Sequence, residues 1–344
     1  MDWKTMPKIE LHLHLDGSVR PATVWELLLE RRRRGDPLVA PYAGLDSLAA
    51  VTGAMQVGDD CQSLAEYLSR FDLPLAVMQD AAALERIAYE LVADVAAENV
   101  VHVEVRFAPV LHTRQGLSMR EAAAAVLRGL ARGREDFGTS TRLIACCMRH
   151  LPPEDNVAMV RAMEPFLGQG LVAIDLAGDE AAFPGIRHQD PLRLAREMGF
   201  HVIVHAGEAS GAEEVRTAVE VLGAERIGHG VRLEEDPALL REVAARGIAL
   251  EMCPTSNVQT KAVAGCGAHP LRRYLEAGLA VTVNTDNRTV SSTTLTAEYE
   301  RAVQHLGLTP AQVRQTVLHA ARAAFVSPAE RQGLLDQLGG NGAG

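Results

Sequence analysis

Basic charge is in short supply. The 344 residues carry 34 Lys+Arg against 44 Asp+Glu, a formal net charge of −10. The basic footprint of a nucleic-acid binder is therefore missing. An acidic chain also gains nothing from an anionic membrane surface. The partner that remains is a small, neutral or weakly charged molecule. Lysine is almost absent, with only Lys4, Lys8 and Lys261. Cysteine is sparse and poorly placed for cross-linking. Of Cys61, Cys146, Cys147, Cys253 and Cys266, two are adjacent, and no Cys-x-x-Cys spacing occurs. A disulfide framework is not expected, which points to a reducing compartment. The first ten residues, MDWKTMPKIE, lack the apolar run of a signal peptide. No stretch approaches the roughly 18 uninterrupted apolar residues of a membrane span. A cytoplasmic protein is expected. The largest charge cluster, Arg31 to Arg34, reads as a solvated helix end.

What is present is a recurring unit: a short apolar run, a turn, then a helical stretch. The runs are 8–14, 100–107, 142–149, 171–178, 200–207, 226–230, 248–254 and 280–286. Strands alternating with helices imply βαβ units and a parallel sheet. Eight of them suggest closure into a (β/α)8 barrel of the TIM type, in which no edge strand is left exposed. The sixth run is the shortest. The stretches 121–135, 153–167 and 237–247 have helical composition and period. Between the first two strands lies a longer insertion, about 18–98, that reads as several helices. It leaves from the carboxyl end of strand one, where it could form a lid. Residues 1–338 are expected to make one barrel domain, and 339–344, GGNGAG with its first Gly at 339, a disordered tail.

Polar residues cluster where the strands end. In such a barrel all those ends share one face, which holds the active site. His12 and His14 are two apart on a strand, so both rings project from the same side. A lone His-x-His is as readily a pair of buried, hydrogen-bonded rings. Here His205 offers a third nitrogen and Asp286 an oxygen. Three His and one Asp suit Zn2+, one per chain. Two-metal barrels bridged by a carbamylated lysine need a lysine near the middle strands. None of the three lysines lies there, so a single metal is the simpler reading. Zinc lowers the pKa of a bound water to about 7. Glu208, three residues after His205 and past a glycine, could then protonate a substrate or shuttle a proton. It could instead be a charge at the start of the helix that follows. His229 could accept a hydrogen bond from the water or steady the charge that develops. His102, Glu104 and Arg106 share one face of strand two and read as a structural polar network. His102-Val103-Glu104 matches half of the cytidine-deaminase zinc signature, but the Pro-Cys-x-x-Cys half is absent. Gly168-Gln169-Gly170 precedes a strand, so it is no dinucleotide fingerprint. Cys146, Cys147 and Cys253 fall in apolar runs and read as packed small hydrophobes.

KIELHLHLDG (8–17), DLAGDE (175–180), HAGE (205–208), RIGHG (226–230), CPTSNVQT (253–260) and VNTDN (283–287) together resemble the adenosine deaminases. EYLSRFDLPL (66–75) and EVRFAP (104–109) are similar to that family too. The resemblance implies a barrel with one catalytic zinc. It implies hydrolysis of adenosine, and of 2′-deoxyadenosine, to the inosine product and ammonia. His12, His14, His205 and Asp286 would hold the metal, and Glu208 would give a proton to N1 of the purine. His229 with Asp286 would activate the water. The Gly178 N–H would meet N3, and Asp16 the ribose 5′-hydroxyl. Tyr67, Leu68 and Phe71 would line an apolar lid over the base, with His14 also facing substrate. One position departs: better-known members carry Asp then Pro after the ligating Asp, where this chain has Asn287 and Arg288. That residue meets N7, an acceptor, and an Asn amide donates without needing to be protonated first. Deaminases of adenine or of a 5′-modified adenosine are the alternatives, and an idle binding protein on the same scaffold is the rival outside the class.

Overall fold

Each apolar run becomes a strand, and the eight strands stand in sequence order. The computed structural model describes residues 2–58 and 60–339. Its strands are β1 Lys8–His14, β2 Val100–Phe107, β3 Ser140–Met148, β4 Leu171–Ala177, β5 His201–Ala206, β6 Arg226–His229, β7 Ala249–Met252 and β8 Val281–Val283. All neighbouring pairs are parallel, from β1–β2 through β7–β8. The ring closes where the chain beyond β8 returns to β1. His14 N–H donates to the Asp286 carbonyl at 2.8 Å, and Asp286 N–H to the His12 carbonyl at 3.0 Å. Helices lie between the strands, as a (β/α)8 barrel requires. The sixth strand is short, as expected, but β8 is shorter still.

β2 shows how alternation builds the interior. Val103, Val105 and Phe107 join the apolar layer under the helices. His102, Glu104 and Arg106 turn the other way, and all are fully buried. The barrel interior at this level is charged. Arg226 pairs with Glu104 at 2.6 Å and with Glu251 at 2.7 Å, and Arg106 pairs with Glu251 at 2.7 Å and with Asp175 at 2.8 Å. Buried charges persist only when paired and hydrogen-bonded. This is the polar network expected of β2, extended to β4, β6 and β7.

Among the described residues the segment between β1 and β2 forms five α-helices: α1 Pro21–Arg33, α2 Leu48–Met55, α3 Leu64–Leu68, α4 Asp72–Val77 and α5 Ala81–Ala96. Ser47, Ser63 and Asp80 start three of them by accepting a backbone N–H three residues on. The Arg31–Arg34 run is not wholly solvated. Arg31 is 5 % exposed and pairs with Asp36 at 2.7 Å and Asp80 at 2.6 Å. The helix end turns this arginine inward, and the local sequence does not say which member of the run faces the body. No helix among the described residues is long and apolar enough to cross a membrane. Of the tail expected to be disordered, 340–344 lie outside the described residues.

Candidate active site

His12 and His14 leave the same side of β1, and their rings meet those of His205 and His229. Ring centroids of His12 lie 4.6 Å from His205 and 4.8 Å from His229. Two rings are oriented from behind. His12 Nδ1 contacts Glu251 Oε2 at 2.9 Å, and His205 Nδ1 contacts Asp175 Oδ1 at 3.1 Å. Arg106 holds both carboxylates from the charged layer below. With Nδ1 taken, each Nε2 faces the centre. His14 Nε2 lies 3.2 Å from His205 Nε2 and 3.4 Å from Asp286 Oδ1, and His12 Nε2 lies 3.3 Å from that same oxygen.

His12 Nε2 and Asp286 Oδ1 are buried with no hydrogen-bond partner. His12, His14 and His205 offer ligand atoms within 4.8 Å of one another, as do His12, Asp286 and Cys253. Burial also pushes the His14 imidazole well below its usual range, which keeps it neutral and able to ligate. Converging imidazole nitrogens, a carboxylate oxygen without a donor and carboxylates behind two of the rings are the donor set and support that zinc takes. The residues fit the metal. Asp286 and His229 sit at φ +62° and +64°, a region side-chain-bearing residues rarely occupy. Such strain concentrates at functional sites.

Glu208 lies past Gly207, whose φ of +70° makes the turn and whose bare Cα clears Val215. The following helix starts at Ala212 with Gly211 as its cap, so Glu208 is not the residue that caps it. Its Oε1 accepts from Thr260 Oγ1 at 3.0 Å, and its Oε2 lies 3.5 Å from His229 Nε2. Burial, then the Asp286 and Glu180 carboxylates, push its carboxyl well above the usual range. It keeps a proton where an exposed glutamate would have lost it.

His229 is neutral, pushed down first by burial and then by the neighbouring rings. Asn257 decides its tautomer. Asn257 Oδ1 accepts from Cys253 N–H at 3.2 Å and faces His269 Nε2, also at 3.2 Å. Its Nδ2 therefore donates to His229 Nδ1 at 3.0 Å. The proton of His229 then sits on Nε2, toward Glu208 and the cavity.

These groups form one wall of a cavity of about 290 Å3. Tyr67 and Leu68 of α3, with Phe71 just beyond, add apolar lining, and Asp16 and Gly178 line it too. Asp16 Oδ1 is buried with no partner, and burial raises its carboxyl to about 6. Asn287 Nδ2 donates to Tyr67 Oη at 3.0 Å, and Tyr67 Oη contacts Ser291 Oγ at 2.6 Å. The Asn287 oxygen has no partner and rests over Gly17, where a β-carbon would overlap it. All the expected site residues thus meet at one cavity, except that His12 stands behind its wall. Cys146, packed with Ala108 and Ala177 as a small hydrophobe, also lines it, as do Arg114, Met148 and His150. Sequence reasoning missed Asp175, Glu251 and Asn257 as supports of the histidines. Asp175 and Asn257 stood inside the quoted segments DLAGDE and CPTSNVQT. Nothing in spacing said which histidine each would reach.

The model of the adenosine deaminase family matches residues 7–340. An adenosine deaminase of Clostridium botulinum is 42 % identical over 328 residues, 95 % of each chain. This chain belongs to the adenosine deaminase family. Solved relatives of that family's fold include an adenine deaminase from Arthrobacter aurescens, 27 % identical with a TM-score of 0.87, covering 98 % of this chain and 99 % of that one. An amidohydrolase from Burkholderia ambifaria, solved with bound zinc, is 28 % identical with a TM-score of 0.84, covering 98 % and 94 %. The adenosine deaminase family thus accounts for the barrel and for hydrolase chemistry.

Proposed function

We propose that the chain hydrolyses adenosine and 2′-deoxyadenosine to the inosine product and ammonia, with one zinc per chain. One observation carries this: three imidazole nitrogens and an orphaned carboxylate oxygen converge beside the cavity that also holds the buried Glu208 carboxyl. His12, His14, His205 and Asp286 would hold the zinc. When bound, zinc supplies Lewis acidity that makes water a nucleophile near neutral pH. Glu208 donates its proton to N1, which draws electrons from C6 and opens it to attack. His229, with its proton on Nε2, steadies the charge developing on the attacking oxygen. Asp286 accepts the water's hydrogen bond at the same point. A C6–O bond forms and the C6–N bond breaks; of the water's two protons one leaves with the amino group as ammonia and the other returns to Glu208.

Gly178 offers its N–H to N3, and Asn287 its amide to N7. Asp16 accepts from the 5′-hydroxyl. A 5′-phosphate there would meet a like charge, and a free base would leave Asp16 unused. Tyr67, Leu68 and Phe71 cover the base, so the helices between β1 and β2 serve as a lid on a domain spanning 1–338. Turnover of adenosine, adenine and AMP, followed side by side by absorbance, tests the reading. Adenosine should be preferred, and preference for either of the others would overturn it.

A further inference from the structure

Glu180 ends the segment Asp175 to Glu180, and none of the proposed chemistry uses it. Its side chain is buried, 2 % exposed, and faces a row of backbone amides. Oε1 accepts from Gly207 N–H at 2.6 Å. Oε2 accepts from the N–H groups of Glu208 at 2.9 Å, Ala209 at 2.7 Å and Ser210 at 3.0 Å. Four consecutive amides of the loop that carries Glu208 therefore end on one carboxylate. The loop's Gly207 and Ala209 carbonyls accept from Arg232, which leaves the four amides to Glu180. The helix beyond begins only at Ala212, and Gly211 brings no side chain to cap it. Buried amides require acceptors, and a charged acceptor binds them most strongly. Arg149 flanks the arrangement, donating to the His205 carbonyl at 2.7 Å and the Phe183 carbonyl at 2.8 Å.

We propose that Glu180 is a positioning residue for Glu208: by gathering the amides of residues 207–210 it sets where the proton-donating carboxyl stands. This rests on the reading of Glu208 as the proton donor. The end of β4 thus serves the site twice. Asp175 orients His205, and five residues on Glu180 holds the loop after β5.

The test is a double-mutant cycle with Glu180→Ala, Glu180→Gln and Glu208→Gln, measuring kcat, KM and bound metal. Misplacing a reacting group by 1 Å costs about 10²-fold, so Glu180→Ala should lose kcat on that scale. KM should move far less, and bound metal should stay at the wild-type level. Glu180→Gln should lose less, because its carbonyl oxygen can still serve the three amides of 208–210, while its NH2 opposes that of Gly207. It also keeps the test valid if Glu180→Ala does not fold. In a Glu208→Gln background either change should cost little more, since residues acting through one group are not additive. Equal losses in both backgrounds, unchanged kcat in Glu180→Ala, or loss of metal would each overturn the proposal. A Glu208→Gln enzyme with wild-type turnover would overturn its premise, and is seen separately in the same cycle.

Discussion

The carboxamide of Asn287 donates to the hydroxyl of Tyr67 across 3.0 Å, joining the turn after β8 to α3. That bond uses one of the two amide hydrogens. The other would serve an acceptor in the cavity, the part the proposed function gives to N7 of adenine. 7-Deazaadenosine, with C–H at that place, would leave the donor unpaired. Asn287→Ala should weaken adenosine turnover and flatten the discrimination between the two substrates. The coupling, from two proteins and two substrates, should exceed about 1 kcal/mol, the net worth of one hydrogen bond. A coupling of zero would reduce Asn287 to a turn former.

Metal and turnover should go together. Protein purified without added metal should contain about one zinc per chain, by elemental analysis. His12→Ala or His205→Ala should lose both metal and activity. Glu251→Gln, behind His12, should weaken metal affinity by about 10–100-fold, as loss of an outer partner does. Full turnover by metal-free protein would contradict the assignment.

Glu208→Gln keeps size and removes the acid. General acid catalysis is worth about 10²–10⁴ in rate, so kcat should fall at least that far with metal retained. A variant within a few-fold of wild type would leave the residue a bystander.

Asp16 and the ribose should prove interdependent. Removing either partner of a buried hydrogen bond costs about 1–3 kcal/mol. So 5′-deoxyadenosine should be poorer than adenosine by about 5- to 150-fold in kcat/KM, and AMP poorer still. Best turnover of AMP or of a bulky 5′-substituted nucleoside would count against Asp16.

Glu104 bears on stability rather than catalysis. Although burial opposes it, Arg226 and His102 bring its carboxyl down to about 2. A depressed carboxyl contributes stability above its unfolded value and loses it as pH falls toward the folded one. Its share should be complete at pH 7 and fade between about pH 4.5 and 2. Glu104→Gln leaves Arg226 with only Glu251 of its two buried carboxylate partners, so about 1–3 kcal/mol should be lost at pH 7. Urea unfolding at pH 7 and pH 3 should show the gap to wild type narrowing in acid. A gap constant with pH would assign the loss to packing.

Much of this molecule is local pattern, and local pattern is legible. Short apolar runs separated by helical stretches are enough for eight parallel strands, because a strand buried on both faces needs little beyond continuous hydrophobicity. His12 and His14 could be paired from their spacing, since period two is a property of the strand itself. The ends of parallel barrel strands share a face, which is why His205, Glu208, His229 and Asp286 could be gathered without coordinates. The resemblance of the quoted segments to adenosine deaminases carried the individual roles. Tertiary structure decided what stands behind those residues. That Asp175 turns to His205, Glu251 to His12 and Asn257 to His229 depends on how β4 sits against β5, β7 against β1, and the helix after β7 against β6. So does the convergence of the 207–210 amides on Glu180. A hydrogen bond depends on fractions of an ångström and on direction, and spacing along a chain carries neither.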